Sequence, residues 1–119
     1  MNRILIAEDE ARLAAFVEKG LRKYGFDPTI ATDGEEVLKL LTTQTFDLLL
    51  LDIGLPLKDG WTVLADLRQQ RQKLPIIIMT AMSDNGNRDR ALQLGAIDFM
   101  TKPFKFSELL ERIQKSLGH

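Results

Sequence analysis

Short apolar runs alternate along this chain with stretches in which apolar residues recur at helical spacing. Each run is only three to five residues long, which suits a strand better than a helix. Runs so nearly free of polar residues are typical of parallel strands that are buried on both faces. The pattern therefore predicts five strands, at Arg3–Ala7, Thr29–Ala31, Asp47–Leu51, Ile76–Thr80 and Asp98–Thr101.

A helix is predicted after each strand. Asp33 is a candidate N-cap, with Glu36 three residues later, and Ser107 is a candidate N-cap for the last helix. Gly25 and Gly95 follow apolar-periodic stretches and are candidate helix ends. The predicted helices are Glu10–Tyr24, a helix that follows Asp33, Trp61–Gln70, Arg88–Leu94, and a helix from Ser107 to about Leu117.

A strand followed by a helix, repeated five times, predicts a doubly wound α/β fold with a five-stranded parallel sheet. We expect the strand order 2-1-3-4-5, which is common in such folds. The chain has 119 residues, of which 45% are apolar, enough for one domain with its own core. We therefore interpret residues 1–119 as a single (βα)5 domain.

Composition narrows the possible chemistry. The formal net charge of −1 argues against direct nucleic-acid binding by this domain. There is no cysteine, and the only histidine is His119, so a histidine or cysteine metal site is not expected. The apolar runs are too short to span a membrane, and the first residues lack a signal-peptide pattern. We expect a cytoplasmic protein without a membrane partner.

Polar residues interrupt the apolar pattern where the predicted strands end. Glu8 and Asp9 follow the first strand, Asp52 follows the run of leucines in the third, Thr80 ends the fourth, and Lys102 follows the fifth. Ligands of open α/β sheets bind at the carboxyl ends of the strands. These five side chains are therefore expected to meet in one pocket.

Three carboxylates in one pocket repel one another unless a cation lies between them. Oxygen ligands without histidine or cysteine suit Mg²⁺, which binds one or two carboxylates and leaves room for a phosphate oxygen. A carboxylate beside the metal can attack phosphorus and form an aspartyl phosphate. Lys102 supplies a positive charge for the phosphoryl oxygens, and Thr80 supplies a hydroxyl donor.

These residues resemble the receiver domains of two-component response regulators over essentially the whole chain. The resemblance rests on Glu8-Asp9, on Asp52 with Pro56 and Gly60, on Thr80-Ala81, and on Lys102-Pro103-Phe104. It implies that Asp52 accepts a phosphoryl group from a sensor histidine kinase. It also implies that Glu8, Asp9, Asp52 and the backbone carbonyl of Gly54 hold Mg²⁺.

The resemblance further implies a conformational switch. Thr80 is expected to move toward the phosphoryl group, and Phe99 is expected to rotate inward behind it. Ala81 matches a position where the family favours a small side chain, and the Lys102–Pro103 peptide bond matches one that is often cis.

The last third of the chain resembles receivers of the OmpR/PhoB type, which precede a winged-helix DNA-binding domain. That resemblance implies transcription regulation through a further domain. It also implies a homodimer formed by the fourth helix, fifth strand and fifth helix, with Arg88–Glu108 and Asp98–Arg112 as ion pairs between subunits. Ile97 stands where an acidic residue is usual, so one expected ion pair is missing.

Two other functions use similar residues. An aspartyl-phosphate hydrolase of the haloacid dehalogenase type needs a second aspartate two residues after the nucleophile, where this chain has Gly54. A flavodoxin-like carrier needs a phosphate-binding loop after the first strand, where Glu8-Asp9 has the wrong charge. Taken singly, each site residue could also be an ordinary cap or surface group. Together they favour a phosphorylation switch with at most slow self-catalysed phosphotransfer and dephosphorylation.

Overall fold

The computed structural model describes residues 1–81 and 85–118, so His119 lies outside the described residues. Five strands form one sheet, and four of the five begin within one residue of the position predicted from sequence. The second strand begins two residues earlier than predicted, because the Asp27 amide bonds to the Asn2 carbonyl and Pro28 pairs with Ile4. The strands are β1 Arg3–Ala7, β2 Asp27–Ala31, β3 Leu48–Asp52, β4 Ile76–Thr80 and β5 Asp98–Thr101.

A helix follows every strand. The fourth helix begins three residues before the predicted Arg88, in a segment without apolar periodicity that sequence patterning could not recognise. The helices are α1 Ala11–Lys23, α2 Gly34–Thr43, α3 Gly60–Gln69, α4 Asn85–Gln93 and α5 Phe106–Ser116. Within the described ranges, no helix is long and apolar enough to cross a membrane.

The sheet is parallel with the order β2-β1-β3-β4-β5, which confirms the predicted (βα)5 fold. β3 lies at the centre and pairs with both β1 and β4. In that register Leu51 pairs with Ala7, and Asp52 pairs with Met79. The carboxyl end of β3 is therefore flanked by the ends of two other strands.

The core has two layers, one on each face of the sheet. Leu49 and Leu51 of β3 face the side covered by α2, α3 and α4, whereas Leu48 and Leu50 face α1 and α5. All four leucines are fully buried. A strand buried on both faces gains from apolar residues at every position, which explains the uninterrupted leucine run.

The predicted helix caps fare differently. The Asp33 carboxylate accepts a 2.7 Å hydrogen bond from the Glu36 amide and caps α2, as predicted. The prediction for Ser107 is wrong, because α5 begins at Phe106 and its N-cap is Lys105. The Phe106 ring packs against Gly20 of α1, where any side chain would collide with the ring. This packing between helices, rather than a capping hydroxyl, accompanies the earlier start of α5.

Candidate functional site

The polar residues predicted at the strand ends lie together at the carboxyl edge of the sheet. Carboxylate oxygens of Glu8, Asp9 and Asp52 lie within 4.8 Å of one another. The Lys102 Nζ lies 2.6 Å from Glu8 Oε1 and 3.4 Å from Asp52 Oδ2. Thr80 is the last residue of β4, the strand beside β3. The fold therefore brings the predicted acceptor, acids, hydroxyl and cation to one edge of the sheet.

Burial separates the members of this cluster. Glu8, Asp52 and Thr80 are the buried polar residues of the described chain, at 1%, 6% and 2% exposure. Asp9 is exposed to solvent. The Glu8 carboxylate also accepts a 3.0 Å hydrogen bond from the Glu10 amide, and Asp52 accepts one of 3.2 Å from the Gly54 amide. The site is thus built inside the protein and opens on the side of Asp9.

Charge and burial oppose each other in the buried ion pair. Burial raises the pKa of the Glu8 carboxyl above its ordinary value, although the hydrogen bonds from Lys102 and Glu10 partly counteract it. Burial alone lowers the pKa of Lys102, but the hydrogen bond to Glu8 and the charges of Asp52 and Glu8 outweigh it, so that pKa is raised. Lys102 therefore remains an ammonium and is the counter-charge of the cluster.

The donor set fits a hard divalent cation. Three carboxylates lie together and the one ammonium beside them contacts two, so the cluster remains negatively charged. Its ligands are oxygen atoms, which Mg²⁺ prefers. Gly54 is exposed and follows Asp52 by two residues, and a Cβ at Gly54 would lie 3.9 Å from both Asp52 carboxylate oxygens. Glu8, Asp9 and Asp52 are the side chains that could hold the metal.

Glycine is required where α3 begins. The Gly60 amide donates a 2.8 Å hydrogen bond to the Ile53 carbonyl. A Cβ on Gly60 would lie 2.6 Å from the backbone oxygen of Asp52 and the Cα of Ile53. Asp59 caps the helix by accepting a 2.8 Å hydrogen bond from the Thr62 amide. The β3–α3 loop is therefore held closely against Asp52.

The loop after β5 is also closely positioned. The Lys102 amide donates a 2.8 Å hydrogen bond to the Thr80 carbonyl, and the Lys102–Pro103 peptide bond is cis, as the resemblance implied. Ala81 is exposed and lines a groove of about 390 Å³ beside Lys102. The small side chain at Ala81 thus lies at the approach to the site.

Phe99, the predicted switch aromatic, is buried at 5% exposure and belongs to the apolar cluster shared with α3 and α4. Its backbone pairs with Ile78 of β4. The side chain is thus buried in this conformation. The inward rotation expected on phosphorylation stays a prediction.

Two of the four predicted interface residues already pair within one chain. Arg112 Nη1 lies 2.6 Å from Asp98 Oδ1, an ion pair predicted to form between subunits. Arg88 of α4 and Glu108 of α5 are both exposed. Ile97, which replaces the usual acidic residue, is 47% exposed. Arg88, Glu108 and Ile97 are therefore accessible to a second subunit, whereas Asp98 already pairs with Arg112 of its own chain.

The structure confirms that the predicted polar side chains meet at one sheet edge, but the sequence did not predict which of them pair. The contacts of the Lys102 ammonium with the Glu8 and Asp52 carboxylates were not predicted. A signal was present, because Lys102 is the single cation among the five strand-end residues. The Arg90 guanidinium also lies 4.3 Å from the centroid of the Trp61 ring, a contact for which the sequence pattern gives no signal.

Comparison with known proteins identifies the family that this chain resembles. The family model described as "Response regulator receiver domain" matches residues 4–114. The transcriptional activator protein IrlR of Burkholderia pseudomallei is 43% identical over 115 residues, covering 97% of this chain and 50% of IrlR. The transcriptional regulatory protein CusR of Escherichia coli is 38% identical, covering 97% of this chain and 51% of CusR.

Solved structures agree closely in fold. The receiver domain of the Francisella response regulator 1452 has a TM-score of 0.96 at 33% identity, covering 99% of this chain and 98% of that one. The BeF3-activated N-terminal receiver domain of Klebsiella pneumoniae RstA has a TM-score of 0.92 at 32% identity, covering 99% and 100%.

The chain spans about half the length of the curated relatives it matches, and those relatives are transcriptional regulators of the OmpR/PhoB type. The match of the family model spans the sheet edge on which the acidic cluster and Lys102 lie. The chain therefore belongs to the response regulator receiver domain family.

Proposed function

We propose that this domain is a phosphorylation switch of a two-component system, in which Asp52 accepts a phosphoryl group from a sensor histidine kinase. The observation that supports this most is the setting of Asp52. Its carboxylate is buried at the end of the central strand, close to two further carboxylates and 3.4 Å from the Lys102 ammonium. This arrangement of carboxylates and an ammonium suits the transfer of a negatively charged phosphoryl group.

The Asp52 carboxylate is the nucleophile. Its oxygen forms a bond to phosphorus while the bond from phosphorus to the donor breaks, and the donor nitrogen or oxygen leaves with the electron pair. Bound Mg²⁺ would neutralise charge on the phosphoryl oxygens, held by Glu8, Asp9, Asp52 and the Gly54 carbonyl. Lys102 stabilises the same oxygens as a point charge, and burial of Asp52 limits access of bulk water.

The phosphoryl group carries about −1.5 to −2 charge and three acceptor oxygens, taking typical values for phosphorylated side chains, while Asp52 gives up its own carboxylate charge in forming the acyl phosphate. Thr80, at the end of the neighbouring strand, is the hydroxyl that would respond to it. β4 leads along the chain to α4, and Phe99 of β5 packs in the same cluster as Ala91 of α4. The switch would therefore change the surface of α4, β5 and α5.

The output we propose is transcription regulation through a DNA-binding domain outside this chain, because the curated relatives are named as transcriptional regulators and are about twice as long. The proposal includes a phosphorylation-dependent homodimer that forms through α4, β5 and α5. It does not include direct binding of nucleic acid by this domain. The cytoplasmic location expected from the sequence stays a prediction.

A phosphatase of the haloacid dehalogenase type is a weaker alternative. Such an enzyme needs a general acid two residues after the nucleophile, where Gly54 provides only backbone groups. Self-catalysed phosphotransfer and dephosphorylation should accordingly be slow.

The test is phosphorylation with acetyl phosphate and Mg²⁺, followed by intact-mass spectrometry. We expect one added phosphoryl group on the wild type and none on Asp52→Asn. Asp59→Asn is the matched control, since Asp59 lies in the following loop, is exposed, and can be replaced by Asn as a helix cap. Equal labelling of Asp52→Asn and wild type would contradict the assignment.

A further inference from the structure

The helix α4 is weakly held in the fold. Of its residues from Gly86 onward, Ala91 is the one that is fully buried, and Arg88, Asp89, Arg90, Leu92 and Gln93 are exposed. Most helices of a domain instead bury a continuous apolar stripe. A helix with so little buried apolar surface is easily displaced, so individual contacts at its edges have a large influence on its position.

One such contact joins α4 to α3. The guanidinium carbon of Arg90 lies 4.3 Å from the centroid of the Trp61 ring, the geometry of a cation–π interaction. Trp61 is half-buried in the first turn of α3 and packs on the apolar cluster that contains Ala91 and Phe99. Arg90 is therefore a solvent-exposed side chain that rests on a ring packed against the core.

The acidic residues around this contact favour the same arrangement. Asp59 and Asp66 line the groove of about 560 Å³ between α3 and α4, together with Trp61 and Arg90. Their charges attract the guanidinium toward α3 across that groove. Because Asp66 already pairs with Lys58 at 3.3 Å, the ring of Trp61 remains the direct partner that the structure gives Arg90.

The position of the contact relates it to the acceptor. Trp61 directly follows Gly60, whose amide bonds to the Ile53 carbonyl next to Asp52. Arg90 lies on the helix that follows β4, which ends in Thr80. The stack therefore connects the helix that follows β3 with the helix that follows β4, and both strands end at the phosphorylation site.

We infer that the Trp61–Arg90 stack is a latch that holds α4 against α3 and opposes the rearrangement of α4 that phosphorylation brings about. This inference rests on the proposed phosphorylation switch. Breaking the latch removes a contact that the rearrangement must release, so the equilibrium shifts toward the active state before any phosphoryl group is added. A phosphoryl mimic then binds more tightly, because less of its binding free energy is used for the rearrangement.

The experiment uses beryllofluoride with Mg²⁺ as the phosphoryl mimic and fluorescence of Trp61, the only tryptophan in the chain, as a readout. In the wild type we expect binding of the mimic to change the Trp61 emission, as Arg90 leaves the ring. In Arg90→Ala we expect emission near that of the liganded wild type before the mimic is added, and a several-fold higher affinity for it by calorimetry. Arg90→Lys, which keeps a cation, should lie between the two.

Lys39→Ala is the matched control, because it removes an equal charge from an exposed side chain on α2, which is not part of the latch. It should behave as wild type. The inference is overturned if Arg90→Ala binds beryllofluoride with unchanged or lower affinity, or if the liganded wild type keeps the emission of the free protein. A wild type that binds no beryllofluoride by calorimetry contradicts the proposed function itself, so the two failures are distinguishable.

Discussion

At the scale of single residues, Lys102 explains how three carboxylates can lie together. Its ammonium contacts two of them, Glu8 and Asp52, both of which are buried. An unpaired buried charge is strongly unfavourable, so removing Lys102 would leave Glu8 and Asp52 without their counter-charge. Asp9 does not contact Lys102 in this way and is exposed, which makes it the natural residue for testing repulsion within the cluster.

Asp9→Asn should weaken Mg²⁺ binding by about tenfold or more, because it removes one of three negative charges from the metal site. The same change should raise stability without Mg²⁺ by up to about 1 kcal/mol, the repulsion between unit charges 4 Å apart in water. Thermal melts with and without Mg²⁺ measure both effects. Glu10→Gln is the control, as Glu10 is exposed and lies outside the cluster. A lower melting temperature of Asp9→Asn without Mg²⁺ would show that repulsion is not the dominant effect.

The raised pKa of Glu8 predicts a pH dependence. In the metal-free protein the folded state holds a proton on Glu8 at pH values where the unfolded chain has lost it. The free energy of unfolding should therefore fall as the pH rises from the usual glutamate pKa through the raised one, and this contribution should be constant above it. Glu8→Gln should remove that part of the slope. Denaturant unfolding of both proteins between about pH 4 and pH 7 compares them, and parallel curves would contradict the assigned shift.

At the scale of elements, Arg68 joins three segments of the chain. Its guanidinium donates to the backbone carbonyls of Gln72, Leu74, Leu94 and Gly95, over 2.6 to 3.3 Å. These carbonyls belong to the α3–β4 connection and to the turn between α4 and β5. Arg68 thus positions the end of α4 independently of the Trp61 stack near its middle. The planar, five-donor group of arginine is needed for such a set of acceptors.

Arg68→Lys should lower the free energy of unfolding by about 2 kcal/mol, because lysine cannot reach the separate carbonyls from one planar group and leaves some of them unpaired. Denaturant unfolding measures this change. Lys73→Ala, an exposed change in the same connection, serves as the control and should stay within about 0.5 kcal/mol of wild type. Equal stability of Arg68→Lys and wild type would mean that charge alone, and not the forked geometry, holds these segments.

At the scale of the whole molecule, the proposed dimer must compete with a contact inside one chain. Asp98 pairs with Arg112 of the same chain at 2.6 Å, and both side chains are partly exposed. Surface ion pairs of this kind contribute about 0–1 kcal/mol, so exchange of partners between subunits costs little. Leu92 of α4 and Ile97, which directly precedes β5, are exposed apolar residues. Burying them in a dimer would offset the ion pair that is lost because Ile97 replaces an acidic residue.

Beryllofluoride should therefore promote self-association of the wild type, measured by analytical ultracentrifugation. Asp98→Arg should block it by placing like charges opposite each other, and adding Arg112→Asp should restore it with the charges exchanged. Lys39→Ala, on α2, should leave association unchanged. A liganded wild type that stays monomeric contradicts the dimer and leaves the phosphorylation proposal intact. A dimer that ignores the Asp98→Arg change places the interface elsewhere on the surface.

Much of this architecture can be inferred from the linear pattern. The leucine run of β3 and the isoleucines of β4 show strands buried on both faces, and the polar residue after each run shows which sheet edge carries the chemistry. Local rules also identified the Asp33 cap, since that interaction spans only three residues. Burial periodicity and short-range capping depend on neighbouring residues, and these are visible in the sequence.

Contacts between distant segments are different, because they depend on how the helices lie on the sheet. The start of α5 at Phe106 accompanies its packing on Gly20, more than 80 positions away along the chain, and no capping motif reports it. The Glu8–Lys102 pair, the bonds from Arg68 to the Leu94 and Gly95 carbonyls and the Trp61–Arg90 stack all join residues far apart in sequence. The amino-acid pattern thus specified the strands, their order and the polar residues that meet at one sheet edge. Which charges pair, and which ring holds α4, followed from distances that only the packed chain defines.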